Sequence, residues 1–133
     1  MLVVTRRARA EIISHIYGNN IMASTARTMR AIIAEAGKLV MVNRPVPVAK
    51  SGEVLVKIHY TAINRADTLQ RTGNYPVPKG ETDILGLEMS GTVVSNSSEK
   101  FPMNSKVMSL LGGGGYAEYV AAVSYTHLTL PTN

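Results

Sequence analysis

Hydrophobic and polar residues alternate from Glu53 to Tyr60, with Val54, Val56, Ile58 and Tyr60 on one side and Leu55, Lys57 and His59 on the other. A period of two is that of a half-buried strand. Apolar runs at Arg30–Ala34 and Lys38–Val42 predict two more strands, with a turn at Glu35-Ala36-Gly37 between them. Pro45 and Pro47 then predict an extended connection, because proline fixes φ and donates no hydrogen bond. Further strands are predicted at Ser90–Val94, Lys106–Leu111 and Tyr116–Val123. Arg65–Arg71 has no β-branched run and follows Asn64, a good N-cap, so it predicts a short helix. Gly73-Asn74 with Pro76 and Pro78 marks an irregular loop. Short strands at near-regular spacing around one short helix point to a mainly β fold, a closed or nearly closed barrel.

Composition narrows the function classes. The 133 residues, 45% hydrophobic and 17% charged, suit one globular domain with an aliphatic core, since there is one Phe and no Trp. The net charge of +5 suggests nucleic acid until its distribution is read. Arg6, Arg7, Arg9 and Arg27 against Glu11 put +3 into residues 1–28, leaving ten basic and eight acidic residues elsewhere. No basic run is interleaved with aromatics there, so no nucleic-acid partner is expected. The absence of cysteine rules out disulfides, thiolate-held zinc and a cysteine nucleophile. No apolar run approaches a membrane span.

The two ends differ from the middle. Residues 1–28 are rich in Arg, Ser and Thr. They read either as an upstream extension ahead of a start at Met22 or Met29, or as a mitochondrial presequence. The first reading implies a cytoplasmic protein, the second a mitochondrial one. Residues 124–133 fit nothing before them and resemble adaptor-derived ends. The expected domain is therefore 29–123.

Four places could carry chemistry. Asn64 and Asp67 lie on one side of a helical turn at the end of a strand. They read as a cap and its return acceptor, or as part of a site. Tyr75, in Gly73-Asn74-Tyr75-Pro76, offers a phenol that could donate a proton, or a ring that covers the barrel mouth. Gly112–Gly115 suggests a phosphate loop, but the residues after it alternate and predict a strand where such a loop needs a helix. His15, His59 and His127 have no ligand spacing, so no metal site is expected.

The order of motifs adds a resemblance. Gly52–Lys57, the Ala62-Ile63-Asn64-Arg65-Ala66-Asp67 box, Gln70-Arg71-x-Gly73-x-Tyr75, Ile84–Glu88 with Ser90-Gly91, and Gly114–Val120 occur in sequence. Together they resemble the N-terminal, GroES-like catalytic domain of the medium-chain dehydrogenase/reductase superfamily, above all its zinc-free quinone oxidoreductases. The resemblance implies a partly open GroES-like β-barrel with one or two short helices. It implies an NADPH-dependent parent, often homodimeric, that passes hydride to a quinone or an α,β-unsaturated carbonyl. It also implies Tyr75 and Asn64 as catalytic candidates, with Asn64, Asp67 and Tyr75 lining the cofactor cleft. Glu88 would be a buried structural carboxylate.

The zinc enzymes of the superfamily carry cysteine where this chain has Asn64, and histidine where it has Leu87. Amide and leucine cannot replace thiolate and imidazole on zinc. Asn104-Ser105 stands where the family usually has Gly-Asp. No G-x-G-x-x-G fingerprint occurs, so the Rossmann domain is expected to be missing from this stretch and the chain alone to be inactive. Two alternatives remain open: a free-standing GroES-like binding or assembly module, and part of a mitochondrial enoyl-thioester reductase.

Overall fold

The computed structural model describes residues 27–95 and 98–124. Residues 1–26 of the proposed leader and 125–133 of the proposed tail lie outside them, while Ser124 lies inside and donates to Gly52 O at 2.9 Å. Among the described residues, six strands and one helix follow in order: β1 (Thr28–Glu35), β2 (Lys38–Pro45), β3 (Glu53–Thr61), α1 (Arg65–Arg71), β4 (Glu88–Ser95), β5 (Lys106–Leu110) and β6 (Tyr119–Val123). β1 and β2 form a hairpin in register from Thr28↔Pro45 to Glu35↔Lys38. Its two turn residues, Ala36 and Gly37, have φ of 48° and 77°. Positive φ at both positions makes the type I′ turn whose twist matches two antiparallel strands. The other four strands form an antiparallel sheet in the order β5-β4-β3-β6.

The sheets do not close into a barrel, and partly open describes them better than closed. They are joined by short stitches. Ala31 bridges Ala117, and Ile33 bridges Ile84. Between Gly115 and β6 the chain serves both sides: Ile32 N donates to Tyr116 O at 2.9 Å and Ile58 N to Glu118 O at 2.9 Å. This double duty shortens the last strand, expected from Tyr116, to Tyr119–Val123. Arg27 and Thr28, grouped with the leader by composition, join the hairpin: Val46 N donates to Arg27 O at 2.7 Å. The Arg27 guanidinium also bonds the Tyr119 hydroxyl and stacks 4.6 Å above that ring.

The alternation in β3 sets the core. Val54 and Val56 are buried with Met89, Val93, Val107, Val120 and Ala122 from the other three strands. Phe101, the only phenylalanine, closes this cluster from the β4–β5 connection and is fully buried. A second cluster, Met29, Ala31, Ile84 and Tyr119, seals the hairpin onto the sheet. Gly91 lets β3 and β4 approach, for a Cβ there would sit 2.2 Å from Lys57 O. Asn104 keeps the turn expected of a glycine: its φ is 67°, a left-handed conformation that asparagine tolerates.

Candidate functional site

The site grows out of the end of β3. The β3–β4 register shifts between Ile58 and Tyr60. An irregularity of this kind bends a strand and re-aims the residues beyond it. Asn64 then caps α1 from an extended conformation (φ −109°, ψ 159°), and its N–H donates to Asp67 Oδ2 at 2.7 Å. That is the return bond of a capping box, so the capping reading of these two residues holds.

The same residues do more than cap. The Asn64 side-chain Nδ2 donates to Glu88 Oε1 at 2.7 Å, which ties the start of α1 to the start of β4. Glu88 is half-buried. Only one of the two Asn64 amide hydrogens is used among the described residues. Asp67 is 4% exposed. Its Oδ2 also accepts from the Tyr116 hydroxyl at 3.0 Å, with the Ala62 carbonyl oxygen a longer acceptor at 3.3 Å. Burial, then the hydrogen bond and charge of Asp67, with a smaller push from Glu88, raise the Tyr116 phenol to about 12. Tyr116 therefore stays neutral and serves as a hydrogen-bond donor near neutral pH.

Beside this network runs a groove of about 340 Å³ across β3, β4 and β5. Tyr60, Met89, Met108 and Leu110 give it apolar walls, and Glu88 and Ser109 give it polar points. Glu88 is shared by groove and network, and Asn64 touches the groove through its bond to Glu88.

Of the residues singled out by sequence, Asn64 and Asp67 come together and Tyr75 stands apart. Tyr75 is 39% exposed on the loop after α1 and makes no hydrogen bond among the described residues. Gly112–Gly115 is a turn that leads into β6, with no helix behind it. His59 is an exposed side chain paired with Thr92 Oγ1 at 2.9 Å. Among the described residues no three His, Cys, Asp or Glu side chains gather as a metal site, and no helix is long and apolar enough to cross a membrane. Tyr116 escaped sequence reasoning as a site residue because its partner lies 49 positions away. The signal available was a tyrosine directly after four glycines.

Comparison with known proteins agrees with this architecture. Residues 50–132 match the alcohol dehydrogenase GroES-like domain. The chain belongs to that family. It is 33% identical to a zinc-type alcohol dehydrogenase-like protein of Schizosaccharomyces pombe over 67% of this chain and 29% of that one. It is 30% identical to the quinone oxidoreductase of Lama guanicoe over 83% of this chain and 36% of that one. The solved quinone oxidoreductase of Thermus thermophilus, described with its NADPH complex, superposes with a TM-score of 0.60 at 30% identity, covering 79% of this chain and 32% of that one. The chain thus spans about a third of the length of these relatives. The resemblance to quinone oxidoreductases read from the motifs is matched by its relatives.

Proposed function

We propose that the chain is the catalytic-domain part of an NADPH-dependent oxidoreductase that passes hydride to a quinone or an α,β-unsaturated carbonyl. The observation that carries this reading is the Asn64–Glu88 bond at the polar end of an apolar groove. A flat, largely apolar ring suits walls of Tyr60, Met89, Met108 and Leu110. The free Asn64 amide hydrogen suits a carbonyl oxygen at its edge, that of a nicotinamide carboxamide or of a substrate.

The donor set argues for catalysis without zinc. Asn64 and Leu87 occupy the two positions that would have to supply thiolate and imidazole. Charge developing on a substrate oxygen would then rest on fixed donors and on orientation. A bound NADPH supplies the hydride. Asn64 and Asp67 would border its nicotinamide end, as the resemblance implies for Tyr75 too. No strand–glycine loop–helix unit lies among the described residues to hold a pyrophosphate. These residues by themselves should therefore bind NADPH weakly or not at all, and should not turn over. A homodimeric parent, and a cytoplasmic or mitochondrial address set by residues 1–28, complete the reading.

The test is quinone- and enone-dependent NADPH oxidation by the gene's full product, with Asn64→Ala beside it. A rate that falls on the order of 100-fold in the variant supports the reading, that being the scale for losing one fixed donor to a developing oxyanion. A full product that oxidises no NADPH, or an Asn64→Ala variant at the native rate, overturns it.

A further inference from the structure

We infer that Tyr116 is a positioning residue: through Asp67 it fixes Asn64, and so sets the direction of the side-chain amide that bonds Glu88 at the groove's edge. The inference deepens the reading above, and its functional meaning rests on that reading. Four observations support it.

First, Asp67 Oδ2 accepts two bonds, from Tyr116 Oη at 3.0 Å and from Asn64 N at 2.7 Å. Asp67 Oδ1 is buried without a partner among the described residues. All anchoring of this carboxylate therefore runs through one oxygen and these two donors. Second, Asn64 passes the constraint on, since its side chain reaches Glu88 at 2.7 Å. Tyr116, Asp67, Asn64 and Glu88 thus form one chain of bonds that ends at the groove.

Third, the backbone of Tyr116 is held from two sides. Its N–H donates to Leu85 O at 2.8 Å, and its carbonyl oxygen accepts from Ile32 N at 2.9 Å. Fourth, room for its ring has been made. Gly86, at φ 99°, lies beneath it, and a Cβ there would sit 2.5 Å from Tyr116 N and 2.6 Å from Tyr116 Cδ1. A phenol that served only as packing would need none of this alignment toward a buried carboxylate.

Hydroxyls of this kind act by orienting a neighbour, because a buried acceptor that loses a donor must reorganise or remain unsatisfied. Removing the Tyr116 hydroxyl should leave the sheet core in place and release Asn64. NMR spectroscopy of the 133-residue chain reads this directly. In Tyr116→Phe, hydrogen exchange at Asn64 N–H should speed up at least about tenfold, the equivalent of one charge-assisted bond weakened. Both Asn64 side-chain amide protons should shift, while the amides of Val56, Val93 and Val120 keep their positions. Asp67→Asn should reproduce the change at Asn64. Unmoved Asn64 signals in a folded Tyr116→Phe protein overturn the inference.

Should that variant fail to fold, the unmodified chain still decides. A slowly exchanging Tyr116 hydroxyl proton with cross-peaks to Asp67 and Ala62 supports the inference, and a hydroxyl in fast exchange with water overturns it. None of these readouts needs turnover. A released Asn64 in a product with no reductase activity would therefore count against the hydride reading and leave the positioning intact.

Discussion

Substitution of Gly86 by alanine probes both the fold and the site. Two costs act at once. The residue sits at φ 99°, where an L side chain is strained by about 1–3 kcal/mol. The new Cβ would also lie 2.5 Å from Tyr116 N, 2.6 Å from Tyr116 Cδ1 and 2.7 Å from Gly115 C. Two of these three are backbone atoms of the stitched turn, which cannot swing aside as a side-chain tip can. Overpacking of that kind costs about 1–3 kcal/mol more. The sum, about 2–6 kcal/mol, is a large part of the stability of a small domain. A melting temperature lower by roughly 10–30 °C should follow for about 100 folded residues.

Two companion variants separate the costs. Gly80→Ala carries a positive φ of 91° with nothing within 4 Å, so strain alone acts there. Gly91→Ala carries no such strain but would meet Lys57 O at 2.2 Å, so crowding alone acts there. Thermal and urea unfolding of the three variants should place Gly86→Ala clearly below Gly80→Ala. Equal stabilities for those two would refute the claim that Tyr116 is packed onto Gly86.

Three further outcomes are expected. Asp67→Ala leaves Asn64 N–H without its acceptor and the Tyr116 hydroxyl with only the longer bond to Ala62 O, and should lower stability by about 2–4 kcal/mol in urea unfolding. Ala36→Asn places a residue that tolerates positive φ before Gly37 and should raise stability by about 0.5–1 kcal/mol in the same assay. The third concerns alkaline pH. Because the Tyr116 phenol is raised from 10.0 to about 12, its contribution is complete below about pH 10 and is lost as pH rises through about 12. The ring is partly open to solvent, which screens the effect to about 1 kcal/mol or less. Tyr116→Phe should flatten that alkaline decline in a pH series of melting curves.

The strands and the helix were legible because their signals are local. Alternation in Glu53–Tyr60 sets one face of β3, and Asn64 with Asp67 three residues on marks the helix start. The glycines at 112–115 were readable as a turn because a strand pattern follows them. The site was half legible. Asn64 and Asp67 are neighbours in the chain, so their contact follows from helix geometry. The Glu88 and Tyr116 contacts depend on how the β4 start and the stitched turn reach α1 across 24 and 49 residues, which no local periodicity encodes. The last strand was overextended for a related reason. Tyr116–Glu118 alternates like a strand but divides its hydrogen bonds between β1, β3 and the Leu85 carbonyl. Tyr75 is exposed on an irregular loop, and loops of that kind fix side-chain direction only through tertiary contacts.

The proposed function needs the groove beside Asn64 and Glu88 to receive a carbonyl-bearing ring. Amide NMR spectra of the 133-residue chain, titrated with millimolar cyclohexenone and separately with reduced nicotinamide mononucleotide, test it most directly. Saturable shifts confined to Tyr60, Asn64, Glu88, Met108 and Leu110 are expected, abolished for both probes in Asn64→Ala. Shifts scattered over the surface, or centred on another face such as the β1–β2 hairpin, would contradict it.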